Sequence, residues 1–349
     1  MLDKIFAGLL IFVPITIIGH FLHFPPVLLF FLSAVAIIPL AKFIGEATEE
    51  LAVYVGSAAG GLLNATFGNA TELIIAIFAI KAGLLEVVKA SITGSIISNL
   101  LLVLGAAMLT GGLKFKNQTF NRTAAMSSGA TLFLAVIALV MPAILLQTAP
   151  DVSQKVIGNL SVTVSILMIL VYLSSIIFSL WTHKHLYTEE VGKYVAKWSK
   201  MKSILILLTS TVLVAWVSEI LVGSIEPIVS AYGWTELFIG VVFVAIIGNA
   251  AEHTSAIVMA VKNRMDLAIQ ISIGSATQIA MFVTPLLVLL SLIFTNHLTL
   301  IFNSFELIAI VLSVLIANLV IQDGESNWLE GLQLVAAYII MAVAFFFHP

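Results

Sequence analysis

The stretch "FGNATELIIA" (Phe67–Ala76) places a carboxylate, Glu72, inside a run that is otherwise almost entirely apolar. A second stretch, "IGNAAEHTSA" (Ile247–Ala256), places Glu252 at the same position of another apolar run. A buried charge is unfavourable unless it is paired or bound to an ion. The two carboxylates are therefore the first candidates for a functional site.

The composition is typical of a polytopic membrane protein. Of the 349 residues, 61% are hydrophobic and only 9% are charged, whereas soluble domains carry about 25% charged residues. The chain has no cysteine, which excludes disulfides and thiolate metal ligands. The sequence has no basic run interleaved with aromatic residues, which would be typical of a nucleic-acid-binding protein. The expected surroundings are a lipid bilayer.

The hydropathy pattern predicts an all-α fold with eleven transmembrane helices, because about 20 apolar residues cross a bilayer. The first has no small-residue cleavage site behind it, so we expect a retained helix. The third and eighth are long enough to be tilted or broken. The predicted spans are Ile5–Phe21, Pro25–Ala41, Glu49–Ile80, Leu85–Leu109, Thr123–Leu146, Ile157–Trp181, Ser203–Gly223, Thr235–Val261, Leu267–Ile293, Phe305–Ile321 and Trp328–Phe347.

The basic residues predict the orientation. If the loops alternate between two faces, twelve of the fifteen Lys and Arg residues fall on one face and three on the other, namely Lys81, Lys89 and Lys155. Cytoplasmic loops carry the excess of basic residues. We therefore expect a cytoplasmic N-terminus and, because eleven is odd, a C-terminus on the outside.

An internal repeat divides the chain. A shift of 180 residues aligns the two Gly-Asn-Ala-x-Glu motifs and also Gly94–Ser95 with Gly274–Ser275, and a second, offset match pairs Glu49 with Glu219. Two units of five spans each enter the membrane from opposite faces, which is the inverted-repeat architecture of many secondary transporters. The predicted division is a first helix (1–22), an N-terminal repeat (23–181), a cytoplasmic linker (182–202) and a C-terminal repeat (203–349).

The repeated motif predicts a cation site near the middle of the membrane. Glycine and asparagine weaken a helix and expose backbone carbonyls. Neither motif contains Lys or Arg, which leaves protons or a metal cation as partners of the carboxylates. Calcium takes about 6–8 oxygen ligands, whereas softer metals prefer His or Cys. The candidate ligands are Glu72, Glu252, Gly68, Asn69, Gly248, Asn249, Ser95 and Gln278.

Two neighbouring carboxylates cannot both stay ionised when the cation leaves. Protons would then replace Ca²⁺, and this competition is a physical basis for antiport. Candidates for the proton pathway or for gating are Glu49, Glu219, His253, Ser98 and Ser275. Two alternatives remain open at this point: a hydrogen bond donated by His253 inside the bundle, and ordinary hydrated carboxylates at span ends for Glu49 and Glu219. Glu306 and Glu330 are interpreted as local packing or interface residues.

The motifs "GEATEELA", "GNATELIIA" and "GNAAEHTSAI" resemble the repeat signatures of the Ca²⁺/H⁺ antiporters, the cation/proton exchanger family of the Ca²⁺/cation antiporter superfamily, over nearly the whole chain. The resemblance implies that Glu72 and Glu252 bind Ca²⁺ and protons alternately and that Ser95, Ser98, Ser275 and Gln278 support the site. It also implies a multi-pass protein of the plasma membrane, no cofactor beyond the transported ions, and possible assembly as a trimer.

Three rival functions are weighed against Ca²⁺/H⁺ exchange. A Na⁺/Ca²⁺ exchanger shares the architecture, but each core motif here has a single carboxylate. A cation channel would need no repeat-paired broken helices. An intramembrane metalloprotease is disfavoured because "AEHTS" lacks the His-Glu-x-x-His spacing of a zinc enzyme, so we do not expect an enzyme.

Overall fold

A computed structural model describes residues 2–56, 60, 63–64, 66–183 and 196–348 of the chain. Within this part the protein is almost entirely helical, which confirms the all-α membrane fold. Eight helices are long and apolar enough to cross a bilayer, or nine if a bent pair forms one span. One further apolar helix of the described residues, Ser304–Val320, is shorter, so the number eleven stays a prediction. The linker prediction falls mainly on 184–195, which lie outside the described residues.

We number the helical segments in chain order. They are α1 (Lys4–Phe21), α2 (Pro26–Val55), α3 (Ala70–Ala82), α4 (Leu85–Lys114), α5 (Arg122–Thr148), α6 (Gln154–Thr182), α7 (Lys200–Tyr232), α8 (Glu236–Gly248), α9 (Ala250–Val261), α10 (Met265–Ser291), α11 (Ser304–Val320) and α12 (Trp328–Phe347). The two short strands β1 (Gln118–Thr119) and β2 (Glu325–Ser326) pair antiparallel.

The predicted boundary between the second and third spans is wrong. The sequence places a loop after Ala41, but α2 continues to Val55. The charged residues that resemble a loop are accommodated on the helix: Lys42 and Glu46 form an ion pair of 3.1 Å at positions i and i+4, and Glu50 accepts the backbone N–H groups of Lys197 and Trp198. Because these charges have partners, the helix does not need to end.

The connecting loops meet in two groups at opposite ends of the helices. At one end, Lys114 donates to the carbonyl of Val261 (2.9 Å) and Gln118 donates to the side chain of Asn263 (2.9 Å). At the other end, Asn296 donates to the carbonyl of Ile80 (3.1 Å). The first group consists of loops that the alternation of spans assigns to the basic face, and the second group consists of loops that it assigns to the opposite face.

Glu306 and Glu330 have local roles. Each closes a capping box with an asparagine three residues earlier, Asn303 at the start of α11 and Asn327 at the start of α12. In a capping box the two side chains satisfy N–H groups that the first helical turn leaves unpaired. The contacts of Glu330 are thus local, whereas Glu306 also accepts a hydrogen bond from Thr93 of α4 (3.2 Å).

The centre of the protein is formed by α4 and α10, the spans with the largest buried shares. Each contains a π-helical turn, Ser98–Val103 in α4 and Ile279–Val283 in α10. The two turns occupy equivalent positions under the 180-residue shift. Such turns are rare and often occur at functional sites. The turn in α4 begins three residues after Ser95, and the turn in α10 begins directly after Gln278.

Candidate functional site

The Gly-Asn pairs interrupt the helices as predicted. Asn249 separates α8 from α9, and the two segments are bent by 58° relative to each other. In the first copy, Gly68 and Asn69 lie in a turn and α3 begins directly after them, at Ala70. Part of the segment before Gly68 lies outside the described residues, so the break is described on its α3 side.

The two motifs lie against each other. Glu72 and Glu252 each stand in the first turn of a helix, α3 and α9, where the helix dipole favours negative charge. The side chain of Glu72 packs onto Gly248: a Cβ added there would lie 2.8 Å from Cγ of Glu72. Glu72 also interacts electrostatically with Glu252. A glycine at position 248 is therefore what allows this close approach.

Hydrogen bonds across the two halves hold both asparagines. Asn69 donates to Oε1 of Gln278 (2.7 Å), and Asn249 donates to Oγ of Ser95 (2.8 Å). Gly94, the neighbour of Ser95, contacts the backbone of α8 at Val241, and small residues of this kind permit close helix packing in membranes. Ser95 and Gln278 thus lie beside the two asparagines, and their part in cation binding stays a prediction.

Asn99 belongs to the same network, and the sequence analysis missed it. Its Nδ2 donates to Oδ1 of Asn249 (2.7 Å) and to the carbonyl of Ser95 (3.0 Å), and the side chain is fully buried. The signal was present in the sequence: an amide in an apolar span four residues after Ser95 lies on the same helical face.

Several oxygens at this junction are buried without a hydrogen-bond partner among the described residues. They are both carboxylate oxygens of Glu72, Oε2 of Glu252, and Oδ1 of Asn69 and of Asn99. Leaving a buried polar atom unsatisfied costs about 1–3 kcal/mol, and unsatisfied groups are rare in native proteins. A cluster of five such oxygens is therefore typical of a ligand-binding site.

The cluster has the chemistry of a site for a hard cation. In the part of the chain that the structure describes, no three His, Cys, Asp or Glu side chains are grouped so that they could hold a metal. A bound cation would therefore rest on two carboxylates and on neutral oxygens. Calcium accepts such oxygen ligands, and fewer charged ligands give weaker and more readily reversible binding.

The remaining predicted residues surround this cluster. The Nδ1 atom of His253 is 2.7 Å from the carbonyl of Asn249. Ser98 donates to the carbonyl of Ser95 (3.3 Å) and is fully buried. Ser275 is 9% exposed.

A cavity of about 500 Å³, which we call the acidic cavity, leads to Glu252. It extends to Met259 and Leu267, on either side of the loop between α9 and α10, and Ser275, Gln278 and Gly68 also line it. Its acidic residues are Glu46, Glu49 and Glu252. The sequence analysis did not single out Glu46, although it stands three residues before Glu49 and thus on the same helical face.

Glu219, the predicted counterpart of Glu49, has a different environment. It is exposed on α7 and is not part of the lining of the acidic cavity. The structure therefore brings Glu49 towards the candidate site and leaves Glu219 away from this cavity.

Comparison with known proteins agrees with the motifs. The sequence model of the sodium/calcium exchanger protein family matches residues 25–181 and 202–347. A Ca²⁺/H⁺ antiporter of Aphanothece halophytica is 49% identical, over 100% of this chain and 98% of its own. The Ca²⁺/H⁺ antiporter ChaA of Bacillus subtilis is 46% identical over 96% of both chains. The solved structure of native YfkE matches with a TM-score of 0.87 at 43% identity, covering 98% of this chain and 100% of that one. These matches confirm the family resemblance. The chain belongs to the sodium/calcium exchanger protein family, within which it is similar to the Ca²⁺/H⁺ antiporters.

Proposed function

We propose that the protein is a secondary transporter that exchanges cytoplasmic Ca²⁺ for external H⁺ at a single site formed by Glu72 and Glu252. The observation that carries the proposal is the cluster of unpartnered buried oxygens where the two Gly-Asn motifs meet. The names of the relatives at 46–49% identity support the same pair of ions.

The exchange follows from the electrostatics of the pair. Ca²⁺ neutralises both carboxylates at once, and protons neutralise them one at a time. When neither is bound, two negative charges face each other in a medium of low dielectric constant, which is strongly unfavourable. Reorientation of the site is therefore expected with Ca²⁺ or with protons bound, and rarely when it is empty.

The ligands of Ca²⁺ would come from both halves of the protein. Glu72, Glu252 and Oδ1 of Asn69 supply oxygens directly, and the backbone near Gly68 and Gly248 supplies carbonyls. Gln278, Ser95 and Asn99 hold the asparagine amides in position through the hydrogen bonds described above. His253 and the hydroxyls of Ser98 and Ser275 are proposed to serve proton transfer or gating.

Access to the site is proposed to alternate between the two faces. Glu46 and Glu49 give the acidic cavity a negative lining that concentrates cations. On the opposite side, Trp234 stacks on Phe243 with ring centroids 5.1 Å apart, and Phe243 packs on the fully buried Phe30 at 5.9 Å. We interpret this aromatic packing as the closed side, and the acidic cavity as the open side, of the described conformation.

The basic face is proposed to be cytoplasmic, with the C-terminus outside and the protein in the plasma membrane. The acidic cavity approaches the loop that carries Lys262 and Arg264, which belongs to this basic face. The described conformation is then open to the cytoplasm. Assembly as a trimer stays a prediction.

The test is flux from purified protein in liposomes, with each ion in turn as the driving force. We expect a pH gradient to drive uptake of radiolabelled Ca²⁺, and a Ca²⁺ gradient to drive proton movement in the opposite direction, with no effect of Na⁺. Uptake driven by a Na⁺ gradient alone would assign Na⁺/Ca²⁺ exchange instead. Single-channel currents without coupling between the ions would assign a channel.

A further inference from the structure

The far ends of the two site helices, α3 and α9, are held by amide side chains. Gln118, in the loop after α4, donates to the carbonyl of Ala260 in the last turn of α9 (2.9 Å). Asn296, in the loop after α10, donates to the carbonyl of Ile80 in the last turn of α3 (3.1 Å). We call these two contacts the amide clamps. Each clamp comes from the half of the protein that does not contain the helix it holds.

The two clamped carbonyls occupy equivalent places in the internal repeat. The 180-residue shift pairs Ile80 with Ala260. It also pairs Gly83 with Asn263, and both of these residues have positive φ angles, 83° and 61°. The N–H group of each donates to the clamped carbonyl of its own helix at 3.0 Å. Since a carbonyl oxygen has two lone pairs, it accepts the clamping amide as well as the turn.

The clamping amides themselves are not repeated in the sequence. The shift pairs Gln118 with Leu298, which is two residues after Asn296. Two different side chains from non-equivalent positions therefore make the same contact with equivalent carbonyls. The repeat alone does not account for this agreement, which indicates that the position of the helix end is itself under constraint.

The clamped carbonyl has the same spacing from the carboxylate in both copies. Ile80 follows Glu72 by eight residues, and Ala260 follows Glu252 by eight, which corresponds to about 12 Å along a helix axis. Both helices start directly after a Gly-Asn break, so the backbone before them does not fix their position along the axis. Because a hydrogen-bonded helix is stiff, a shift at its far end moves the carboxylate by a similar amount.

The clamp on α9 has more contacts than the clamp on α3. Gln118 is 2% exposed, donates a second hydrogen bond to Oδ1 of Asn263 (2.9 Å), and pairs through β1 with Ser326 of β2. It also lies against Gly111 of α4, where an added Cβ would collide with Oε1 of the amide. Asn296 is partly buried and, among the described residues, donates one side-chain hydrogen bond.

We propose that Gln118 and Asn296 are positioning residues for the Ca²⁺ site, each fixing the axial position of a site helix and so the place of the carboxylate eight residues earlier. The inference rests on the proposed function, in which Glu72 and Glu252 share one cation. Ca²⁺ binds oxygens at about 2.3–2.6 Å, so two carboxylates on separate helices must be held at a set distance. The clamps set this distance from opposite ends of the helix bundle.

The test replaces each amide by an apolar residue of similar size and measures Ca²⁺/H⁺ exchange in liposomes. Gln118→Met removes two hydrogen bonds and should raise the KM for Ca²⁺ about tenfold, whereas Asn296→Leu removes one and should raise it about threefold. The maximal rate at saturating Ca²⁺ should stay near that of the wild type. A merely structural role would give the opposite result, because loss of folded protein lowers the maximal rate and leaves the KM unchanged.

A second readout is the preference between cations of different size. Like charges repel, so the carboxylates should move apart when a helix end is released. Sr²⁺ is larger than Ca²⁺ and should lose less affinity. In both variants, Sr²⁺ should therefore compete more effectively with radiolabelled Ca²⁺ than it does in the wild type. A general loss of stability would weaken the two cations equally.

Two other amides in the same groups of loops are matched controls. Asn117 is exposed next to Gln118 and donates to the side chain of Glu325 (3.5 Å). Gln147 is exposed at the other end of the bundle and donates to Oγ of Ser304 (2.8 Å). Neither of these hydrogen bonds leads to a site helix. Asn117→Leu and Gln147→Met should therefore keep the KM and the cation preference of the wild type.

An unchanged KM in correctly folded Gln118→Met and Asn296→Leu would overturn the inference, and so would a KM that rises equally for Ca²⁺ and Sr²⁺. If the buried Gln118→Met does not fold, the partly buried Asn296→Leu carries the test by itself. Failure of the proposed function has a different signature, because the wild type would then show no proton-coupled Ca²⁺ uptake. Calorimetric titration with Ca²⁺ would still measure the clamps in that case, as the same loss of affinity.

Discussion

The two copies of the Gly-Asn-Ala-x-Glu motif have the same spacing but different surroundings. In the first copy the amide of Asn69 has one partner, Gln278, and its Oδ1 is left without one among the described residues. In the second copy both amide atoms of Asn249 are bonded, to Ser95 and Asn99. Repetition of a sequence thus places equivalent residues in one site without giving them equivalent contacts.

A substitution outside the motif contributes to the difference. The 180-residue shift pairs Asn99 with Ile279 and Ser98 with Gln278, so the amides that bond the two asparagines come from non-equivalent positions of α4 and α10. The carboxylates differ too: Glu252 lines the acidic cavity, whereas Glu72 packs onto Gly248. We infer that the C-terminal half contributes the carboxylate that borders the acidic cavity, and that the N-terminal half contributes the carboxylate on the far side of the site from this cavity.

The largest expected effect is loss of either carboxylate. Glu72→Gln and Glu252→Gln should each abolish Ca²⁺/H⁺ exchange in liposomes. The amide carries no negative charge to bind Ca²⁺, and it does not take up a proton near neutral pH. Folding should be retained, since the amide is nearly the same size. The exposed Glu226 is the control, and Glu226→Gln should transport normally. Transport like that of the wild type in either core variant would remove the central assignment.

The second effect tests the contact between the copies. In Gly248→Ala the new Cβ would lie within 3 Å of Cγ of Glu72, and the flexible side chain must move away. Displacement by about 1 Å can reduce activity on the order of a hundredfold, so transport should fall steeply while thermal stability changes little. Gly274→Ala is the matched control, because nothing lies within 4 Å of a Cβ there. Equal activity of the two variants would contradict the packing of Glu72 on Gly248.

These contacts mark the limit of what the sequence could predict. Hydropathy and the repeat were enough for the membrane fold and for the helix break at Asn249. The hydropathy pattern gave the wrong boundary at α2. Lys42 and Glu46 are charged residues typical of a loop, and the sequence did not predict the ion pair that accommodates them on the helix. Asn69 and Gln278 are 209 residues apart. The sequence could predict that both belong to one site, but it could not predict the hydrogen bond between them. Asn99 and Glu46 were missed because no repeat partner drew attention to them.

The third effect concerns the additional amide of the second copy. Asn99→Ile makes position 99 like its counterpart and leaves Oδ1 of Asn249 buried without its donor, at a cost of about 1–3 kcal/mol. We expect a lower melting temperature without Ca²⁺ and a smaller deficit with it, because the released oxygen can then face the cation. Asn159→Ala, at an exposed position of α6, is the control. A deficit that Ca²⁺ does not reduce would place Asn99 outside the site.

The fourth effect concerns the single amide partner of the first copy. Gln278→Ala removes the acceptor of Asn69 but no charge, so Ca²⁺ affinity should fall by less than about tenfold, the equivalent of one neutral hydrogen bond. Isothermal titration with Ca²⁺ measures this directly. Gln270→Ala, eight residues earlier on the same helix and lining the same cavity, should bind normally. A loss as large as that of Glu72→Gln would make Gln278 a primary ligand.

The smallest effect separates Glu49 and Glu219, the two acidic residues that the offset repeat pairs. Glu49 lines the acidic cavity and Glu219 does not, although the repeat pairs them. Removing one charge from a cavity that concentrates cations weakens the local attraction, and salt screens what remains. Glu49→Gln should therefore raise the KM for Ca²⁺ on the cavity side about two- to fivefold at low ionic strength, with a smaller effect at high ionic strength.

Glu219→Gln should leave the KM measured from that side unchanged, because its carboxylate is exposed on α7. If the site alternates between the faces, the same substitution should raise the KM measured from the opposite side, where Glu219 would take the position that Glu49 has here. Flux assays on liposomes with protein inserted in one direction distinguish the two sides. Identical effects of both variants from both sides would mean that the two residues share one passage, and the difference between the copies would then not reflect alternating access.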